Sequence, residues 1–103
     1  MRSHVIYMSR MIILPGKEKE FEELFKEAAV IAKRLGGVMW LLNPISPMGT
    51  VDKIPTQYVA CCRWENKAKW EAFERTPERV ANVEKIIKLV VNIDRMWFEV
   101  VVD

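Results

Sequence analysis

Val5-Ile-Tyr-Met-Ser-Arg-Met-Ile-Ile-Leu14 is followed by Pro15-Gly16, and Lys17-Glu-Lys-Glu-Phe21 then runs on to Leu35-Gly36-Gly37; across that one turn the spacing of apolar residues changes. Residues 5 to 14 are rich in β-branched and aromatic types and stop at Pro-Gly, which predicts a strand and a turn. Val5, Tyr7, Ser9, Met11 and Ile13 share one side, while Ile6, Met8, Ile12 and Leu14 share the other with Arg10. Neither side is built for water, so the strand is apolar on both faces. From Lys17 the period becomes helical: Phe21, Leu24, Phe25, Ala28, Ile31, Ala32 and Leu35 fall on one stripe. Glu18 and Glu20 open this helix, Lys33 and Arg34 close it in keeping with the helix dipole, and Gly36-Gly37 stops it.

Further along, Val38 to Leu42 predicts a second strand and Gln57 to Trp64 a third. Between them Asn43-Pro44, Pro47, Gly49 and Pro55 mark a connection of residues 43 to 56, long for a hairpin and expected to be a surface insertion, a lid or a partner contact. Asn66 suits the N-cap of a helical piece over 67 to 75 carrying Trp70 and Phe73. A second piece starts at once, with Thr76 as cap and Pro77 at the first helical position, and with Val80, Val83, Ile87 and Val90 as its expected stripe. Met96 to Val102 predicts a last strand. The order βαββαβ describes a ferredoxin-like α+β fold in one domain over residues 1–103: an antiparallel sheet with its helices on one face. Strands apolar on both faces then leave a bare, sticky face, and the expected solution is a homodimer through the sheets.

Composition supports a compact domain and narrows its partners. Half of the 103 residues are hydrophobic, including four Trp, four Phe, two Tyr and six Met, while a domain of this size hides only roughly 65% of its unfolded surface. The excess calls for a partner chain or a ligand. Sixteen basic residues against fourteen acidic ones leave a net charge of +2, with the signs interleaved, so no basic stripe marks a nucleic-acid footprint. No apolar run reaches the roughly 18 residues of a membrane span, and the start, Met1-Arg-Ser-His-Val5, leads into too short an apolar run for a signal peptide, so the chain is expected in the cytoplasm and away from membranes. Cys61 and Cys62 are adjacent and point to opposite faces of a strand, as free thiols would. With His4 as the single histidine and no C-x-x-C, no standard metal set assembles.

Several segments resemble the antibiotic biosynthesis monooxygenase group, small proteins of the dimeric α+β barrel superfamily: Ile12-Ile-Leu-Pro-Gly-Lys-Glu-Lys-Glu-Phe21, Leu35-Gly-Gly-Val-Met-Trp-Leu-Leu42, Tyr58-Val-Ala-Cys-Cys-Arg-Trp-Glu-Asn-Lys67, Trp70-Glu-Ala-Phe73 and Thr76-Pro-Glu78. The resemblance implies a ferredoxin-like dimer and an oxidation of an anthrone- or quinol-like substrate by dioxygen without a cofactor. In those enzymes a third-strand Trp lines the pocket, and Trp64 is similar to it. The Asn four residues earlier is replaced by Ala60, and the Tyr six residues later by Trp70. The alternative branch degrades haem; there the family's Asn, Trp and iron-ligating His correspond to Ser9, Phe73 and Val83, so the expected haem ligand is absent. A third reading is a ligand-binding or assembly module without catalysis.

The expected substrate-binding residues are Ser9, Trp64, Trp70 and Phe73, around a small aromatic ligand. Trp64 shares a face with Tyr58, Ala60 and Cys62 and either walls a pocket or closes the core. Trp40 and Trp97 are expected in the core or the dimer interface. Arg10 and Arg63 are strand cations suited to salt bridges, with an anionic substrate as the other option. No residue is singled out as catalytic.

Overall fold

The computed structural model describes residues 4–44 and 56–102. Its elements run β1 (Val5–Ile13), α1 (Glu18–Arg34), β2 (Val38–Leu42), β3 (Gln57–Trp64), α2 (Lys67–Glu74), α3 (Pro77–Ile87) and β4 (Val90–Glu99). The strands form one antiparallel sheet in the order β2-β3-β1-β4. This is the ferredoxin-like α+β arrangement expected from the sequence. The long connection expected to act as insertion, lid or partner contact lies largely outside the described residues.

Local chemistry explains the helix boundaries. Phe21, Leu24, Phe25, Ala28, Ile31 and Ala32 of α1 are buried, as the stripe requires. At its end Gly36 takes φ +96°, a left-handed conformation that glycine adopts without steric cost, and the Gly37 N–H returns to the Ala32 carbonyl at 2.8 Å. The Asn66 side chain accepts from the Lys69 N–H and that of Thr76 from the Arg79 N–H. Each cap satisfies a backbone donor that its helix leaves over, so the helical region divides at Thr76 as its sequence predicts.

Two expectations need correction. The last strand begins at Val90, not Met96, because β4 pairs with β1 from Ile13↔Val90 up to Val5↔Glu99, and Val101 and Val102 lie beyond it, exposed. The stripe Val80, Val83, Ile87 and Val90 is not the buried face of α3 either. Val80 and Ile87 are exposed and Val90 belongs to β4, while α3 turns Asn82 inward, whose amide donates to the Leu24 carbonyl at 2.8 Å. A polar residue can occupy that place because its hydrogen bond offsets the loss of water.

The core lies between the helices and one face of the sheet. Met11, Ile13, Tyr58 and Ala60 meet Phe21, Leu24 and Phe25, and a second cluster joins Ile31, Ala32, Cys62, Trp64 and Phe73. The opposite face carries no helix. It presents Val38, Trp40 and Leu42 from β2 together with Met96 and Phe98 from β4, with Trp40 42% and Met96 54% exposed. Near its middle the Arg10 guanidinium meets the Asp94 carboxylate at 3.1 Å. No helix among the described residues is long and apolar enough to cross a membrane.

Candidate functional site

A cavity of about 790 Å³ opens between the helix-facing side of β1 and β4 and the pair α2 and α3. Strand parity positions one of its walls. Tyr7 and Trp97 are opposite one another in the β1–β4 ladder and face the helices; Trp70 reaches down to them from α2. The three rings touch in a compact group: Tyr7 to Trp97 at 4.7 Å between centroids, Tyr7 to Trp70 at 5.4 Å, and Trp70 to Trp97 at 4.6 Å and nearly perpendicular. Edge-to-face and tilted contacts of this kind are favourable and hold large rings in fixed places. Met11, Phe25 and Ala60 provide an apolar floor, and Val83 and Ile87 border the cavity from α3.

Its polar groups are few. Glu74 and Arg79 border it and form a two-point ion pair, Nε to Oε2 at 2.9 Å and Nη2 to Oε1 at 3.3 Å. Arg79 also donates to Asn82 at 2.6 Å and lies over the Phe73 ring. Arg95, two residues before Trp97 and on its face, is the other cation at the cavity. Burial pushes the Tyr7 hydroxyl above its usual pKa, with the Arg95 charge acting the other way; the group is therefore a neutral donor at ordinary pH.

The four expected site residues divide. Trp70 borders the cavity, but Ser9, Trp64 and Phe73 do not line it. Ser9 is buried on β1, opposite Ala60. Trp64 is fully enclosed and lies against Phe73, with ring centroids 5.1 Å apart and planes tilted by 37°, and its indole N–H lacks a hydrogen bond of normal geometry although the Cys62 thiol stands close enough to sense it. Burial raises that thiol to about 11, so Cys62 is a packed thiol and not a ready nucleophile. Trp97, expected in the core or the interface, belongs to the cavity wall. Arg10 pairs with Asp94, and Arg63 approaches the His4 ring at 3.5 Å.

Tyr7, Trp97, Arg95 and the Glu74–Arg79 pair escaped the sequence reading. Tyr7 had a signal, since it shares the strand face of Ser9. Arg95 and Trp97 also stand two apart on one strand face, but that alternation is invisible when the strand is begun at Met96.

No family sequence model and no curated protein sequence matches the chain. Solved structures do. A variant of SnoaB, a cofactor-independent oxygenase from Streptomyces nogalater, superposes with a TM-score of 0.80 at 20% identity over 97% of this chain and 95% of that one. A candidate antibiotic biosynthesis monooxygenase from Bacteroides thetaiotaomicron gives 0.77 at 18% identity, over 96% and 90%, and one from Nitrosomonas europaea gives 0.74 at 13%, over 97% and 90%. With element order, strand order and these superpositions in agreement, the chain has the ferredoxin-like fold of the antibiotic biosynthesis monooxygenase-like proteins.

Proposed function

We propose that the protein is a cytoplasmic, homodimeric monooxygenase that oxidises a small aromatic or quinol-type substrate with dioxygen and needs no metal, haem or flavin. The observation that carries this reading is the cavity of about 790 Å³ walled by Tyr7, Trp70 and Trp97, a size and lining suited to a flat aromatic molecule. Oxygenases and candidate monooxygenases among the structures of the same fold support it. In such a reaction a substrate C–H gives up its proton, and the resulting carbanion, spread over the ring system, reacts with dioxygen. A ring CH₂ becomes a carbonyl, one oxygen atom stays in the product and the other leaves as water, with all four electrons drawn from the substrate. The protein's part is to bind and desolvate the ring and stabilise its anion.

Haem has no place in this reading. Val83, at the position similar to the iron-ligating His of the haem-degrading branch, borders the cavity, and its isopropyl group has no lone pair to offer iron. Aerobic incubation with quinols and anthrones, followed with an oxygen electrode, should show uptake that falls at least about tenfold in Trp70→Ala, the loss expected when a large aromatic contact is removed. Uptake no faster than in buffer for every substrate contradicts the proposal.

The dimer is supported by the bare apolar face around Trp40, Leu42, Met96 and Phe98, a patch that a monomer would leave in water. Sedimentation at micromolar concentration should give a dimer for the wild type and a monomer for Trp40→Glu combined with Met96→Glu, because two carboxylates would be buried unpaired. A monomeric wild type, or a double variant that stays dimeric, contradicts it.

A further inference from the structure

The charges around the cavity do not balance among themselves. Glu74 and Arg79 are spent on each other, and Arg79 gives a further donor to Asn82. The Arg95 side chain forms no ion pair and no hydrogen bond among the described residues, unlike that of Arg10, which has Asp94, and that of Arg63, which has His4 close by. A cation left over at the edge of an aromatic-walled cavity is a receptor for an anion. It stands on the strand that also presents Trp97, on the same face, and its charge is felt at the Tyr7 hydroxyl. One ligand can therefore lay its ring against the indoles and place an oxygen between a guanidinium and a phenol.

We propose that Arg95 selects a planar aromatic carrying an ionised ring oxygen, a phenolate or enolate, and that the Tyr7 hydroxyl donates to the same oxygen. The ligand class deepens the monooxygenase reading and rests on it, since the ionised form is the one that reacts with dioxygen. A guanidinium suits this task because its planar fork of donors meets oxygen anions directionally and stays charged at every working pH. Tyr7 complements it by donating without bringing a second charge. The cavity's net positive lining also disfavours cationic aromatics, so size and flatness alone do not define its ligand.

The test compares a hydroxynaphthoquinone that is ionised at neutral pH with its methyl ether, which has the same ring and no charge. Binding is followed by quenching of tryptophan fluorescence in the wild type, Arg95→Met and Arg95→Lys, with thermal melting as a check on folding. The wild type should bind the ionised quinone about fivefold more tightly than the ether, as expected for a solvent-accessible charge pair. Arg95→Met should lose most of this preference, keeping only the part that the Tyr7 hydroxyl supplies by donating to the charged oxygen, and Arg95→Lys should keep more of it. Equal binding of the two quinones by the wild type, or a preference undiminished in Arg95→Met, overturns the proposal while leaving oxygen uptake to decide the reaction. Failure to bind either quinone overturns it too, and oxygen uptake by the wild type would show that the monooxygenase reading nevertheless stands.

Discussion

Gly37→Ala should lower the melting temperature by roughly 15 °C, a cost of about 3 kcal/mol, while leaving the backbone conformation at residue 37 allowed. The reason lies across the fold, not in the turn. A Cβ on Gly37 would come within 2.5 Å of Trp64 Cη2, inside the indole ring's own volume. That ring cannot step aside, since Trp64 is fully enclosed and packed against Phe73, and protein interiors are too densely packed to leave spare room. Gly36→Ala is the informative comparison. Nothing lies within 4 Å of a Cβ there, but φ is +96°, so the penalty is the smaller one of left-handed backbone, about 1 kcal/mol. Circular dichroism melts of the two variants should therefore differ widely, and equal losses would show that the Gly37 penalty is not steric. Trp64→Phe combined with Gly37→Ala should recover much of the loss, because the smaller ring vacates the space the methyl needs.

Arg79→Met should cost about 2–3 kcal/mol, below the range for a fully buried pair because the Arg79 and Glu74 side chains remain 13% and 24% exposed. Removing the guanidinium leaves the Glu74 carboxylate partly desolvated with no counter-charge and takes the donor from Asn82, whose amide still has to hold the Leu24 carbonyl. Three helices are joined through these groups: Glu74 closes α2, Arg79 and Asn82 belong to α3, and Leu24 to α1. Urea unfolding is the measurement. Glu74→Gln should cost less, since its amide oxygen can still accept from Arg79, and the double variant Glu74→Leu with Arg79→Met should be more stable than Arg79→Met alone. A single Arg79→Met variant within about 0.5 kcal/mol of wild type would mean that the pair is a surface contact.

Where chemistry is local, the sequence was legible. The stripe of α1, the caps at Asn66 and Thr76 and the strands Val38–Leu42 and Gln57–Trp64 all follow from periods and caps that act within a few residues. Trp64 and Ser9 show the first limit: both lie on the helix-facing side of their strands, as parity requires, but parity does not say whether a side chain meets a cavity or a packed neighbour. Whether Trp64 is enclosed depends on the missing side chain of Gly37, a residue remote in sequence. Asn82 shows the second, since a buried amide breaks the apolar pattern that locates a helix face, and its acceptor sits on another helix. The cavity wall is a third case. Tyr7, Trp70 and Trp97 come from β1, α2 and β4 and converge only through sheet pairing, and the starting point of β4 was hidden by its mixed run of Asn92, Asp94 and Arg95.

The ladder between β1 and β4 has one irregular step: Ile12 pairs with Asn92 and Ile13 with Val90, so Val91 has no opposite number. A residue inserted or lost anywhere in the regular part of β4 would exchange its two sides, turning Asp94 and Met96 toward the cavity and Arg95 and Trp97 away from it. At Val91 the surplus residue is already absorbed as a bulge. Chain length can change by one there with the ladder on both sides kept in register, so this short kink gives evolution, or a protein engineer, a place to reshape the rim of the cavity while the residues facing into it keep their seats.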